Sequence, residues 1–142
     1  MIKELKMSNI ESIASSLTME HIVFDKVSFI RKGFKQKDDS EISLSFHVSI
    51  SQTDNPDVNR VTLQVLADAQ DEYDAEIQIT GYCSISSDCP NKQYLLENNA
   101  VAILFPYVRS ELTLITAQPE TSPIVLPAVN INSMIRQSER QE

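Results

Sequence analysis

The chain has 142 residues, 42% of them hydrophobic and 23% charged, which suits one folded domain and lies far from the composition of disordered polypeptides. A formal charge of −8 repels phosphate backbones and argues against a nucleic-acid-binding role; the basic run Arg31, Lys32, Lys35 and Lys37 is answered at once by Asp38, Asp39 and Glu41 and reads as a solvated loop. Two cysteines, Cys83 and Cys89, are too few for a disulfide framework and suit the reducing cytoplasm, and two glycines exclude a glycine-rich phosphate loop.

The first segment, residues 1–18, contains Ile10, Ile13, Ala14 and Leu17 at helical spacing, with Ser8 or Asn9 as a cap, so a short amphipathic helix is expected from Met7 to Leu17. Its charges, Lys3, Glu4, Lys6 and Glu11, leave no continuous apolar run for a signal peptide or membrane insertion. Next, His21 to Arg31 is rich in Val, Ile and Phe, but its alternation changes phase between Phe24 and Val27, which predicts a strand with a bend. Ile42, Leu44, Phe46, Val48 and Ile50 alternate with four serines and His47, the pattern of a half-buried strand. A turn at Asp54–Asp57 leads to a strand through Val61, Leu63, Val65 and Ala67, and a hairpin leads to another through Tyr73, Ala75, Ile77 and Ile79. Gly81 interrupts that last pattern and suggests a bulge.

After Pro90 the period changes. Val101, Phe105, Val108, Leu112 and Ile115 form a helical seam over residues 94–117, with a kink expected at Pro106. Pro119, Pro123 and Pro127 make residues 118–129 an extended linker, and Asn130 or Asn132 caps a last helix over 130–140. The order predicts a single α+β domain: a four-stranded antiparallel sheet over residues 19–88, with a long kinked helix and a short C-terminal helix on one face. A sheet has two faces and the helices cover one. The surplus of apolar residues, with Val101, Phe105, Val108 and Leu112 on the helix seam, therefore predicts self-association or a binding groove.

Chemistry is sparsely represented. His47 lies among serines on the polar side of its strand, and His21, His47, Cys83 and Cys89 match no zinc spacing, so no catalytic, metal or cofactor site is expected. An enzyme using Cys83 or His47, and a scaffold whose apolar faces are consumed by oligomer contacts, are the readings from other functional classes.

At the long helix, Ile103-Leu104-Phe105-Pro106-Tyr107-Val108-Arg109 with Glu111, followed by Leu126-Pro127-Ala128-Val129-Asn130, resembles the SecB family of protein-export chaperones. Ala75-Glu76-Ile77-Gln78 through Gly81 and Ser84-Ile85 is similar to that family's fourth strand, and Val27-Ser28-Phe29 to part of its first. The resemblance implies an ATP-independent holdase, a homotetramer built as a dimer of dimers, that keeps unfolded polypeptides such as preproteins in hydrophobic grooves. It implies a groove including Ile42, Leu44, Phe46, Ile124, Leu126 and Met134, and subunit association through Ala75, Ile77 and Ile79. Where the family presents acidic residues to the motor ATPase SecA, this chain keeps Glu76 but has Lys26, Ile30 and Asp74 at the other matching positions, and its polar C-terminal extension is short, ending Ser138-Glu139-Arg140-Gln141-Glu142. These departures admit a rival expectation, a SecB-like chaperone dedicated to one client such as the antitoxin of a toxin–antitoxin system.

Overall fold

The computed structural model describes Glu4, Lys6, Met7 and residues 17–35, 41–128 and 130–141. The helix expected from Met7 to Leu17 lies outside the described residues apart from its two end positions. The alternating segments form four strands, β1 (Thr18–Arg31), β2 (Ser43–Gln52), β3 (Val58–Asp68) and β4 (Tyr73–Ser84), in one antiparallel sheet of order β1-β4-β3-β2. β1 and β2 are therefore its edges.

The phase change read in β1 is a register shift between Phe24 and Lys26 that leaves Asp25 unpaired opposite β4, and a second shift leaves Glu20 unpaired. The two consecutive polar residues Asp25 and Lys26 turn to the same side, where Asp25 accepts a hydrogen bond from Thr80, and Thr80 in turn meets Thr62 at 2.8 Å. The bulge expected at Gly81 does not occur, since Gly81 pairs in register with Ile22 and Val61. Its lack of a side chain serves close packing: a Cβ there would lie 2.6 Å from Met19 Sδ and 3.1 Å from Leu104 Cδ2.

One sheet face is covered by a helix, α1, which starts with a short α-helical turn at Lys92–Tyr94, passes through a π-helical stretch at Leu95–Ala100 and continues as an α-helix over Val101–Thr116. The chain runs on through Pro106. Both Pro106 and Ala102, whose carbonyl loses its helical donor to the proline ring, are exposed, so water can satisfy that oxygen. Leu96, Val101, Leu104, Val108 and Leu112 descend from α1 onto Val61, Leu63, Val65, Ile77 and Ile79 of the central strands, all fully buried. Each such side chain contributes roughly 1.5–3 kcal/mol by leaving water, so the β3–β4–α1 sandwich carries most of the stability. A second helix, α2 (Ile131–Gln141), is capped by Asn130, whose Oδ1 accepts from the backbone N–H groups of Asn132 and Ser133 at 3.1 and 3.3 Å.

Candidate functional site

The two sheet edges differ in kind. β1 carries Glu20, Asp25, Lys26 and Arg31 and two register shifts, the features that normally blunt an edge against added strands. β2 has no carboxylate, lysine, arginine or proline, and it pairs with β3 without irregularity from Ser43 opposite Asp68 to Gln52 opposite Asn59. The register also fixes which backbone groups are free. Thr53 N–H donates to the Val58 carbonyl at 3.2 Å where the hairpin closes, so stepping back two residues at a time makes Ser51, Ser49, His47, Ser45 and Ser43 the residues bonded to β3. Leu44, Phe46, Val48 and Ile50 therefore turn their N–H and C=O groups toward the other edge, which no further strand covers among the described residues, with their side chains on the helix-covered face.

Beside that edge lies a cleft of about 610 Å³, lined by Val48 and Ile50 of β2, Tyr94 and Glu97 of α1, and Ile135 and Arg136 of α2. Its walls are tied together by Asn132, whose Nδ2 donates to the Asn98 carbonyl at 3.3 Å. Of the groove residues expected from the sequence, none lines this cleft; Ile42, Leu44, Leu126 and Met134 are partly buried against the core. Phe46 and Ile124 are buried, Phe46 with its ring centroid 6.4 Å from that of Phe105. Val48 and Ile50 continue the same alternation as Leu44 and Phe46, so the sequence carried their signal; Tyr94 and Arg136 carried none.

The linker before α2 is held by a cluster that the sequence did not announce. Arg31, read as part of a solvated basic loop, instead donates to the carbonyls of Gly33 and Glu120 at 3.0 and 3.1 Å, to that of Pro119 at 3.2 Å and to Thr121 Oγ1 at 2.5 Å. Its guanidinium lies 5.5 Å from the centroid of Phe29, which stacks on Tyr73 at 4.9 Å. Tyr73 Oη donates to the Ser122 carbonyl at 2.7 Å, and buried Glu72 accepts from the Ser122 N–H and hydroxyl at 3.2 and 3.3 Å. Finally, Thr116 Oγ1 accepts from Ile124 N–H at 2.9 Å, and Thr113 Oγ1 donates to the Ile124 carbonyl at 2.8 Å.

Burial, with the Glu72 charge added, pushes the Tyr73 phenol from its ordinary 10.0 up to about 12. Folding thus favours the neutral phenol: its contribution to stability is complete below pH 10 and is lost as the pH rises through about 12. Thermal melting across that range should fall more steeply for the unmodified chain than for Tyr73→Phe; parallel curves would refute the assignment.

The residues considered for chemistry lie apart. His47 is exposed on the outer sheet face, whereas Cys83 is buried on the opposite face, 3.6 Å from Met19 Sδ, where burial pushes its thiol up to about 11. Among the described residues, no group of three or more His, Cys, Asp or Glu side chains could hold a metal ion. On the outer face the Glu76 carboxylate sits 2.6 Å from Lys26 Nζ, and Lys32 lies 3.1 Å from Asp74 and 3.7 Å from Asp68.

The residues expected at a subunit interface are buried within the single chain. Ala75, Ile77, Ile79, Val101, Phe105, Val108 and Leu112 are all in the chain's own core, at 4% exposure or less, because the helix seam and the inner face of β4 satisfy each other. The apolar surface left over lies beside them. Ile103, Tyr107 and Leu114 are exposed on α1, and Phe24 and Val27 on the inner side of β1; Phe24 and Tyr107 line one shallow depression with Pro106, Ser110 and Glu111.

A four-stranded antiparallel sheet of this order, covered on one face by a long helix and a short C-terminal one, is a SecB-like chaperone fold. The model of the family described as preprotein translocase subunit SecB matches residues 14–142, and the chain belongs to that family. Among solved structures it is similar to the SecB-like chaperone Rv1957 of Mycobacterium tuberculosis, in complex with a ChAD peptide from the Rv1956 HigA1 antitoxin. That likeness has a TM-score of 0.64 at 12% identity and covers 83% of this chain and 91% of the other. A protein of unknown function from Streptococcus agalactiae aligns with a TM-score of 0.45 at 13% identity, over 78% of this chain and 96% of that one. The uncharacterized protein MJ0357 of Methanocaldococcus jannaschii is 34% identical over 64 residues, which span 44% of this chain and 41% of that relative's length. No helix among the described residues is long and apolar enough to cross a membrane.

Proposed function

We propose that the chain is an ATP-independent holdase that binds unfolded polypeptide at the open β2 edge and the cleft beside it. The observation that carries this reading is the contrast between edges: β2 offers an unbroken row of outward N–H and C=O groups without a guarding charge. A client strand bonded to Leu44, Phe46, Val48 and Ile50 places every second side chain on the helix-covered side, toward the cleft under Tyr94 and Ile135. Main-chain bonding is indifferent to client sequence, and the apolar part of the cleft, Val48, Ile50, Tyr94 and Ile135 within a polar rim that includes Glu97 and Arg136, favours segments with apolar side chains.

The client range follows from the outer face. Glu76, the acid retained at the family's SecA-binding positions, is neutralised at close range by Lys26, which weakens attraction for a positively charged partner and supports a client-dedicated chaperone beside a general one. The peptide complex of the Mycobacterium tuberculosis neighbour, whose partner is an antitoxin segment, is consistent with that second reading. Assembly into an oligomer of like chains, up to the family's dimer of dimers, would bury Phe24, Val27, Ile103, Tyr107 and Leu114.

Hydrogen exchange with and without a reduced, carboxymethylated unfolded test protein distinguishes this site from others. The reading expects slowed exchange at Leu44, Phe46, Val48 and Ile50, whose amides face outward, with little change at the serines between them. Protection confined to the outer sheet face would refute it.

A further inference from the structure

The linker is fixed along one half only. Arg31, Tyr73 and Thr113 donate hydrogen bonds to Pro119, Glu120, Thr121, Ser122 and Ile124, Glu72 and Thr116 accept from Ser122 and Ile124, and the backbone adds Lys35 N–H to the Glu120 carbonyl at 3.1 Å. From Val125 to Ala128 the linker makes no hydrogen bond with the other described residues, until Asn132 ties the start of α2 to Asn98. Ile124 is thus the last clamped residue. In the segment after it Leu126 is partly buried against the core, and the chain then enters α2 at Ile131, the helix whose Ile135 and Arg136 form one wall of the cleft.

The clamp is heavily provisioned for a surface connection. Three backbone carbonyls and a hydroxyl converge on one guanidinium, which stacks on Phe29 and through it on Tyr73, whose hydroxyl holds the next linker residue. A buried carboxylate serves two donors of a single serine. Tyr73 belongs to the hydrophobic core and Glu72 is buried beside it, but Arg31 is exposed, and neither Arg31 nor Glu72 lines the cleft. Such a cluster makes sense if the position of the linker matters more than its mere attachment.

We propose that Arg31 and Glu72 are positioning residues for client binding: by clamping Pro119–Ile124 they hold α2 at the distance from β2 that a client strand requires, without touching the client. This rests on the holdase reading above. A pre-set wall lowers the ordering cost of binding, so loosening it raises the dissociation rate chiefly.

The test uses the full chain with the substitutions Arg31→Ala, Arg31→Lys and Glu72→Gln. Binding of the carboxymethylated test protein is followed by fluorescence anisotropy and stopped-flow dissociation, beside melting temperature, mass in solution and amide exchange of residues 119–128. Arg31→Ala and Glu72→Gln should each weaken client binding by about tenfold, mostly through faster release, with faster exchange at 120–124 and unchanged mass. Arg31→Lys, which keeps the charge but cannot serve the same fork of acceptors, should recover only part of the loss. Faster linker exchange with unaltered client affinity would overturn the proposal, as would unchanged exchange. If one variant fails to fold, the other still decides. Should the unmodified chain bind no unfolded protein, the holdase reading itself falls before any variant is made, and this proposal with it.

Discussion

Proline at Val48 should abolish most client binding while leaving the chain folded, and proline at the neighbouring Ser49 should do the reverse damage. Val48 N–H points to the open edge, so its loss removes no bond to β3, and the ring obstructs an incoming strand. Ser49 is bonded to β3 opposite Thr62, so proline there breaks the ladder at mid-strand, at a cost of roughly 3 kcal/mol. Affinity for the unfolded test protein should fall at least about tenfold in Val48→Pro, with a melting temperature close to that of the unmodified chain. Equal melting losses for the two variants would show that the assignment of outward and inward bonding residues is mistaken. Unchanged affinity in folded Val48→Pro would remove β2 as the binding strand.

A comparably large effect, on stability, is expected of Leu104→Ala. Leu104 is fully buried where α1 crosses the sheet and lies against Gly81, so truncation opens a cavity that the rigid strands beneath cannot fill. A loss of about 3 kcal/mol is expected from denaturant unfolding. Ten residues on, Leu114 is 69% exposed on the same helix, and Leu114→Ala should leave monomer stability within about 0.5 kcal/mol. Its effect belongs to assembly: together with Tyr107→Glu it should lower the mass in solution. A mass unchanged by both substitutions would exclude this patch from the interface.

The strands were legible in the sequence because the period of two is set by the backbone itself: Leu44 to Ile50 and Tyr73 to Ile79 could be assigned to a face without knowing their neighbours. Even the β1 bulge showed, as two polar residues, Asp25 and Lys26, in succession. What the pattern could not tell is which face is consumed internally. Val101, Phe105, Val108 and Leu112 read as apolar surplus, yet they fill the chain's own core, and the surplus sits at Ile103, Tyr107 and Leu114, which lie off the seam. Gly81 gave the signal of a bulge but answers to the close approach of Met19 and Leu104, a contact across more than twenty residues that no local pattern encodes.

The Arg31 clamp was invisible for a related reason. A local run of basic and acidic residues looks like a solvated loop, whereas the carbonyls that define the role of Arg31 arrive from Pro119 and Glu120, nearly ninety residues away in sequence. In the candidate site, Val48 and Ile50 extend an alternation already read, while Tyr94 and Arg136 join it only because α1 and α2 converge on β2.

The central claim is that the folded chain keeps other polypeptides from aggregating without chemistry. Its most direct test is light scattering from a chemically unfolded protein diluted into buffer lacking ATP, with and without this chain, alongside the chain's mass in solution. Suppressed aggregation by a folded oligomer, unaffected by ATP and lost in Val48→Pro, is the predicted result. A folded, well-behaved chain that leaves the scattering of every test protein unchanged would contradict the general holdase, and failure to protect a dedicated partner as well would contradict the account entirely.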